Sequence, residues 1–229
     1  MNRDIFIFLG PPGSGKGSLS QRCVEKLGWQ QLSTGNLCRD HIARETEIGT
    51  QIDFFIKSGK LISDSLILGM VQEWLAEKAA QGSQGSVIFD GFPRAVSQAH
   101  ALHELLAEFK DMQLYPIRLV LSDEEVIYRL LARSICQNNS CQRVYSLHKQ
   151  SAHQPAQEMI CDECGSPLVR RFDDEETAIH ERLRSHHEHE QSLLDFYHEV
   201  GQPVVELNAR APLNEVYNEL ITKIGHPRE

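Results

Sequence analysis

The stretch Gly10-Pro11-Pro12-Gly13-Ser14-Gly15-Lys16-Gly17-Ser18 limits this chain more than any other. An apolar run, Ile5-Phe6-Ile7-Phe8-Leu9, precedes it, and apolar residues at helical spacing (Leu19, Cys23, Leu27) follow. Strand, glycine-rich turn and helix, in that order, are the setting in which a phosphate-binding loop works. Glycines let the backbone curl until successive N–H groups share one hollow, and the helix N-terminus adds partial positive charge. Lys16 then reaches the outer phosphates as a point charge. The general pattern has Ser or Thr directly after the lysine, for magnesium; here Gly17 stands there and the hydroxyl comes one later, at Ser18.

Downstream, Val87-Ile88-Phe89 is a short run of the kind buried on both faces of a parallel sheet. It ends at Asp90-Gly91-Phe92-Pro93-Arg94, and an acid at the end of a buried strand suits the waters of a magnesium ion. Further strands are expected at 29–32, 117–121 and 203–207. A helix starting near Gly35 takes Ser33 or Thr34 as its cap. Others are expected around Leu66, Met70 and Leu75, around Leu102, Leu106 and Phe109, over 126–132 and over 213–224. A long one follows Asp174, its expected cap, and carries Arg182, Leu183, Leu193, Leu194 and Tyr197. His186, His187 and His189 on that helix lack the His-Glu-x-x-His spacing and read as a solvated face. This alternation predicts an α/β fold, a parallel sheet covered on both faces with ligands at the strand ends. Residues 33–62 and 132–174 break the alternation and are expected to be inserted lobes.

Composition narrows the function. A net charge of −9 argues against a nucleic-acid binder, so cations should gather locally wherever anions are held. No apolar run approaches a membrane span, which with the cysteine usage suggests a cytoplasmic chain. Cys23 and Cys38 stand apart as packing residues, whereas Cys136, Cys141, Cys161 and Cys164 form two pairs separated by 19 residues. Two such knuckles suit a tetrahedral four-thiolate zinc site, which would supply folding energy to a segment with almost no core.

Together, residues 10–18, Ser-Thr-Gly-Asn-Leu-Cys-Arg at 33–39, Asp-Gly-Phe-Pro-Arg at 90–94 and Arg-Arg-Phe-Asp-Asp at 170–174 with Arg182-Leu183 resemble the adenylate kinase family. The four cysteines resemble its bacterial long form, whose lid carries structural zinc. The resemblance runs from residue 5 to about 224. It implies a P-loop kinase core with a five-stranded parallel sheet (1–32, 63–131, 175–229), a nucleoside-monophosphate lobe (33–62) and a zinc-stapled lid (132–174). It further implies magnesium-dependent phosphoryl transfer from ATP to AMP giving two ADP, by a cytoplasmic monomer with no nucleic-acid or membrane partner. By position, Gly13, Ser14, Gly15, Lys16, Gly17 and Ser18 would hold the donor phosphates, with Arg129, Arg133, Val144, Tyr145 and Ala211 as further ATP contacts. Thr34, Arg39, Lys60, Leu61, Ile62, Gly91, Phe92, Pro93, Arg94 and Gln98 would form the AMP pocket, which Arg171 and Arg182 also reach. The catalytic set implied is Lys16, Asp90, Arg94, Arg133, Arg171 and Arg182. Asn36 departs from the usual aspartate near the magnesium waters, Ser134 from a common arginine and Ser146 from a histidine. A kinase for another nucleoside monophosphate and a non-catalytic nucleotide-binding module are the competing readings.

Overall fold

In the computed structural model, which describes residues 4–58, 62–81, 85–107, 113–138, 141–148 and 153–225, the apolar run forms β1 (Ile5–Leu9) with every side chain buried. Successive strand side chains point to opposite faces. Ile5, Ile7 and Leu9 therefore enter one core cluster, and Phe6 and Phe8 enter another. Gly10 ends the strand at φ 125°, where an added Cβ would lie 2.4 Å from the Leu119 carbonyl oxygen; only glycine turns there.

The chain continues through α1 (Lys16–Leu27), β2 (Gln30–Ser33), α2 (Thr34–Ala43), α3 (Glu47–Ser58) and α4 (Asp64–Ala80). Next come β3 (Val87–Asp90), α5 (Val96–Leu106), β4 (Leu114–Val120) and α6 (Asp123–Leu131). Three short strands follow, β5 (Arg133–Cys136), β6 (Val144–Ser146) and β7 (Leu168–Val169), and then α7 (Glu176–Glu199), β8 (Val205–Asn208) and α8 (Leu213–Lys223). The main sheet is five-stranded in the order β2-β3-β1-β4-β8, and every pairing in it is parallel. Met70 of α4, Leu102 of α5 and Phe196 of α7 cover one face, while Leu19 of α1 and Leu220 of α8 cover the other. The α/β class, the five parallel strands and the flanking helices follow from that layering. No described helix is long and apolar enough to cross a membrane.

Residues 132–174, expected to have almost no core, form the antiparallel sheet β6-β5-β7 over a small one of Cys136, Tyr145, Cys161 and Leu168. Three expectations need correction. The strand expected at 117–121 begins at Leu114, because Pro116 is tolerated inside it. Gln113 accepts from the Ile5 N–H and Val120 from the Ala209 N–H, so odd positions of β4 bond toward β1 and even ones toward β8. Pro116 thus faces β8 one residue before that pairing starts at Ile117, where its missing N–H costs no ladder bond. The cap position of α7 falls on Glu175 rather than Asp174, whose carboxylate is taken by arginines. Finally, of the three histidines only His187 is clearly solvated; the His186 side chain is 16% exposed and lies 3.4 Å from Glu190.

Candidate active site

The glycine-rich loop, the C-terminal ends of β3 and β4, α2, α7 and the small sheet enclose one cleft of about 870 Å³. Gly13, Ser14, Gly15, Lys16, Gly17 and Ser18 line its floor. Gly15, in the left-handed region at φ 92°, occupies the cap position of α1; no side chain caps the helix and no acid lies in its first turn. The first N–H groups of α1 are therefore left for an anion, with the helix dipole behind them. Lys16 Nζ donates to the carbonyls of Gly10 and Pro11, both at 2.7 Å, and to Ser14 Oγ at 3.2 Å. Burial pulls its ammonium down to about 7; Asp90 opposes that, while Arg94, Arg182 and Arg133 add to it.

Across the cleft Thr34 Oγ1 donates to the Gly91 carbonyl at 3.1 Å, and Arg94 Nε donates to the same oxygen at 2.7 Å. Gln98 is buried with both ends of its carboxamide in use: Oε1 accepts from the Arg94 N–H and Nε2 donates to Asp64. Asp64 carried no signal in the sequence beyond its place at the start of a helix. Arg39 donates to Asn36 Oδ1. Burial and the nearby Arg171 bring Arg39 down to about 9, Asp173 opposing them. Ile62, Gly91 and Pro93 line this wall, whereas the Phe92 ring is buried in the core beneath it. Lys60 and Leu61 lie outside the described residues.

Between these walls stands a cluster of arginines. Arg171 grips Asp173 through two bonds, of 3.0 and 3.1 Å. Arg133 does the same to Asp174, at 2.7 and 2.5 Å. Arg182 NH1 reaches the Asp173 carbonyl at 2.9 Å and Asp174 Oδ1 at 3.2 Å. Burial would raise the Asp173 carboxyl, but Arg171, Arg182, Arg39 and Arg133 outweigh it and hold the group well below the carboxylate range. Among the described residues, eight cationic side chains (Lys16, Arg39, Arg94, Arg129, Arg133, Arg171, Arg182, Arg210) thus line the cleft against four carboxylates (Asp90, Glu125, Asp173, Glu190) in a chain whose net charge is −9. Such a cleft attracts polyphosphate.

The far wall carries Arg129, paired with Glu125 at 2.8 Å, together with Val144, Tyr145 and Ala211. Here the sequence missed a contact between α6 and the small sheet's loop. The His148 ring stacks on Tyr128 at 3.7 Å, and its Nε2 lies 2.8 Å from the Tyr128 carbonyl. Near α7, His186, His187 and Glu190 bring ligand-type atoms within 4.8 Å of one another. Glu190 is held by Arg118 at 2.9 Å and His187 by Asp123 at 2.9 Å, so these side chains tie α7 to β4 and α6.

Cys136, Cys141, Cys161 and Cys164 place their sulfurs within 4.8 Å of one another. Backbone N–H groups are aimed at them: that of Asn138 at Cys136, Arg143 at Cys141, Glu163 and Cys164 at Cys161, and Ser166 at Cys164. Four thiols so provided fit a closed tetrahedral zinc site, which would hold the small sheet together without an open coordination position. For magnesium, Asp90 is the fitting ligand. Among the described residues it is the one cleft-lining acid without a cation at ion-pair distance, since Glu125, Asp173 and Glu190 each hold an arginine.

The family model for adenylate kinase matches residues 8–202. An adenylate kinase of Archaeoglobus fulgidus is 37% identical over 195 residues, covering 85% of this chain and 86% of the relative. That of Bacillus licheniformis is 34% identical over 219 residues, 96% of this chain and 97% of the relative. The adenylate kinase of Methanothrix thermoacetophila is 33% identical over 214 residues, 93% and 95% of the two chains.

Proposed function

The chain belongs to the adenylate kinase family, whose members catalyse magnesium-dependent transfer of a phosphoryl group between ATP and AMP, and from that premise we propose which side chains do the work. Residues 13–18 hold the β- and γ-phosphates of ATP, with the N–H groups of α1 and Lys16 as donors. Thr34, Arg39, Ile62, Arg94 and Gln98 hold AMP, a role that the family resemblance extends to Lys60 and Leu61. Arg133, Arg171 and Arg182 surround the group in transit, and Arg129, Val144, Tyr145 and Ala211 border the donor nucleoside. Residues 33–62 and 132–174 act as closing lobes on a core formed by the remainder, in a cytoplasmic monomer.

The observation that carries these roles is the excess of cations over carboxylates in one cleft walled by the loop and by Thr34. Transfer requires an AMP phosphate oxygen to form a bond to the γ-phosphorus while the bond from that phosphorus to the bridging β–γ oxygen breaks, leaving ADP on each side. The attacking oxygen is already anionic, so neither a protein nucleophile nor a general base is required. What the chain supplies is alignment and positive charge around the equatorial oxygens, for which planar guanidinium forks are suited. Asp90 would hold the water shell of the magnesium bound with ATP, which would offset negative charge on the phosphates. Closing the lobes keeps water from accepting the phosphoryl group. Coupled measurement of ADP formation with AMP, CMP, UMP and GMP tests the assignment: AMP is the preferred acceptor, and a preference for any of the other three would overturn the AMP pocket.

A further inference from the structure

Asp90 differs from the other acids of the cleft in its partner. Glu125, Asp173 and Glu190 each hold an arginine, whereas Asp90 Oδ2 accepts from a neutral donor, Gln31 Nε2, at 3.1 Å. Strand register explains the meeting. In the β2–β3 pairing Gln31 lies opposite Ile88 and Ser33 opposite Asp90, so Gln31 shares a face with Asp90, two residues back. Its long carboxamide spans that offset. Gly17 keeps the phosphate loop close on the other side: a Cβ there would sit 3.4 Å from the same Oδ2.

We propose that Gln31 is a positioning residue, whose carboxamide N–H fixes the Asp90 carboxylate toward the magnesium that accompanies ATP without cancelling its charge. The carboxylate torsion is broad in the absence of a partner, and one bond to Oδ2 sets its plane. Oδ1 is then left for the water shell of the cation. An arginine in place of Gln31 would fix the plane equally well, but it would remove the negative charge that attracts the metal. Partners at this remove shape metal affinity by orienting the ligand rather than by touching the ion. The inference rests on the role proposed above for the cleft, and its test separates the two.

Manganese serves as a paramagnetic probe for the magnesium site. In Gln31→Met, which keeps the length and loses the donor, Mn2+ affinity for the enzyme–ATP complex, read by electron paramagnetic resonance, falls about tenfold. Metal-free ATP affinity and the KM for AMP stay within about twofold of wild type. In an Asp90→Asn background the same change has no further effect on Mn2+ affinity. Unchanged Mn2+ affinity in Gln31→Met, or an equal loss in the Asp90→Asn background, overturns the inference. Absence of ADP formation by the wild-type chain would instead overturn the assignment of the cleft itself.

Discussion

Replacing Asp173 by asparagine removes one negative charge from the middle of the arginine cluster while keeping its shape. The Asp173 side chain is 6% exposed and faces Arg171 at 3.0 Å and Arg182 at 3.3 Å. Breaking a buried pair by removing one partner costs about 3–5 kcal/mol, because the other charge is left uncompensated. Asparagine retains one acceptor oxygen, so the lower end, about 3 kcal/mol, applies to the unliganded protein. With an unfolding entropy of about 2.1 cal/mol/K per residue, a chain of 229 residues converts that into a melting point lower by about 6 °C. Polyphosphate supplies the missing charge, so the deficit measured by calorimetry shrinks when ATP is present. The pH dependence has a definite sign. Because the folded carboxyl lies below its ordinary range, Asp173 stabilises fully above that range, and the contribution is lost as pH falls through it. Wild-type stability therefore declines more steeply than that of Asp173→Asn below about pH 4. An unchanged melting point, or an equal deficit with and without ATP, would refute the reasoning.

Removing the metal with a chelator should release about one zinc per chain and expose residues 133–169 to protease while the five-stranded sheet stays folded. Metal analysis that finds none in protein purified without chelator contradicts the four-thiolate site. Lys16, held at about 7 without ligand, is largely neutral at pH 8 and recovers its proton when phosphates approach. ATP binding at pH 8 therefore takes up close to one proton, seen as a buffer-dependent binding enthalpy. Lys16→Met abolishes that uptake; a variant with wild-type uptake would assign the proton elsewhere.

Much of the fold was legible because β1 announces itself. Five apolar residues running into Gly10 can be buried on both faces only at the centre of a sheet, and the later alternation of strands and helices supplies the layers. The small sheet was not legible. β5, β6 and β7 are four, three and two residues long, too short for any period to register, and their core is built from cysteines and Tyr145 rather than from an aliphatic run. Lys16 and Asp90 were legible because a glycine-rich turn and a buried strand end mark where phosphate and magnesium are held. Arg133 and Arg182 were reached only through the resemblance to the adenylate kinase family. The anchors were not legible. Gln31 and Asp64 act through partners 59 and 34 residues away, and nothing in the local sequence marks those pairings. Asp174 shows the same limit from the other side: a helix-start position suggested a cap, and long-range pairing with Arg133 claimed the carboxylate instead.

Catalysis here is attributed to converging guanidinium groups, and Arg182 is the most direct place to measure it. It touches both acids of the cluster from α7 and lies 15% exposed beside the cleft. Arg182→Met is expected to lower kcat by roughly 10³-fold or more while the Kd of ATP, taken separately by calorimetry, changes by less than about tenfold. A kcat within a few-fold of wild type, with the protein folded and saturated, would contradict the account.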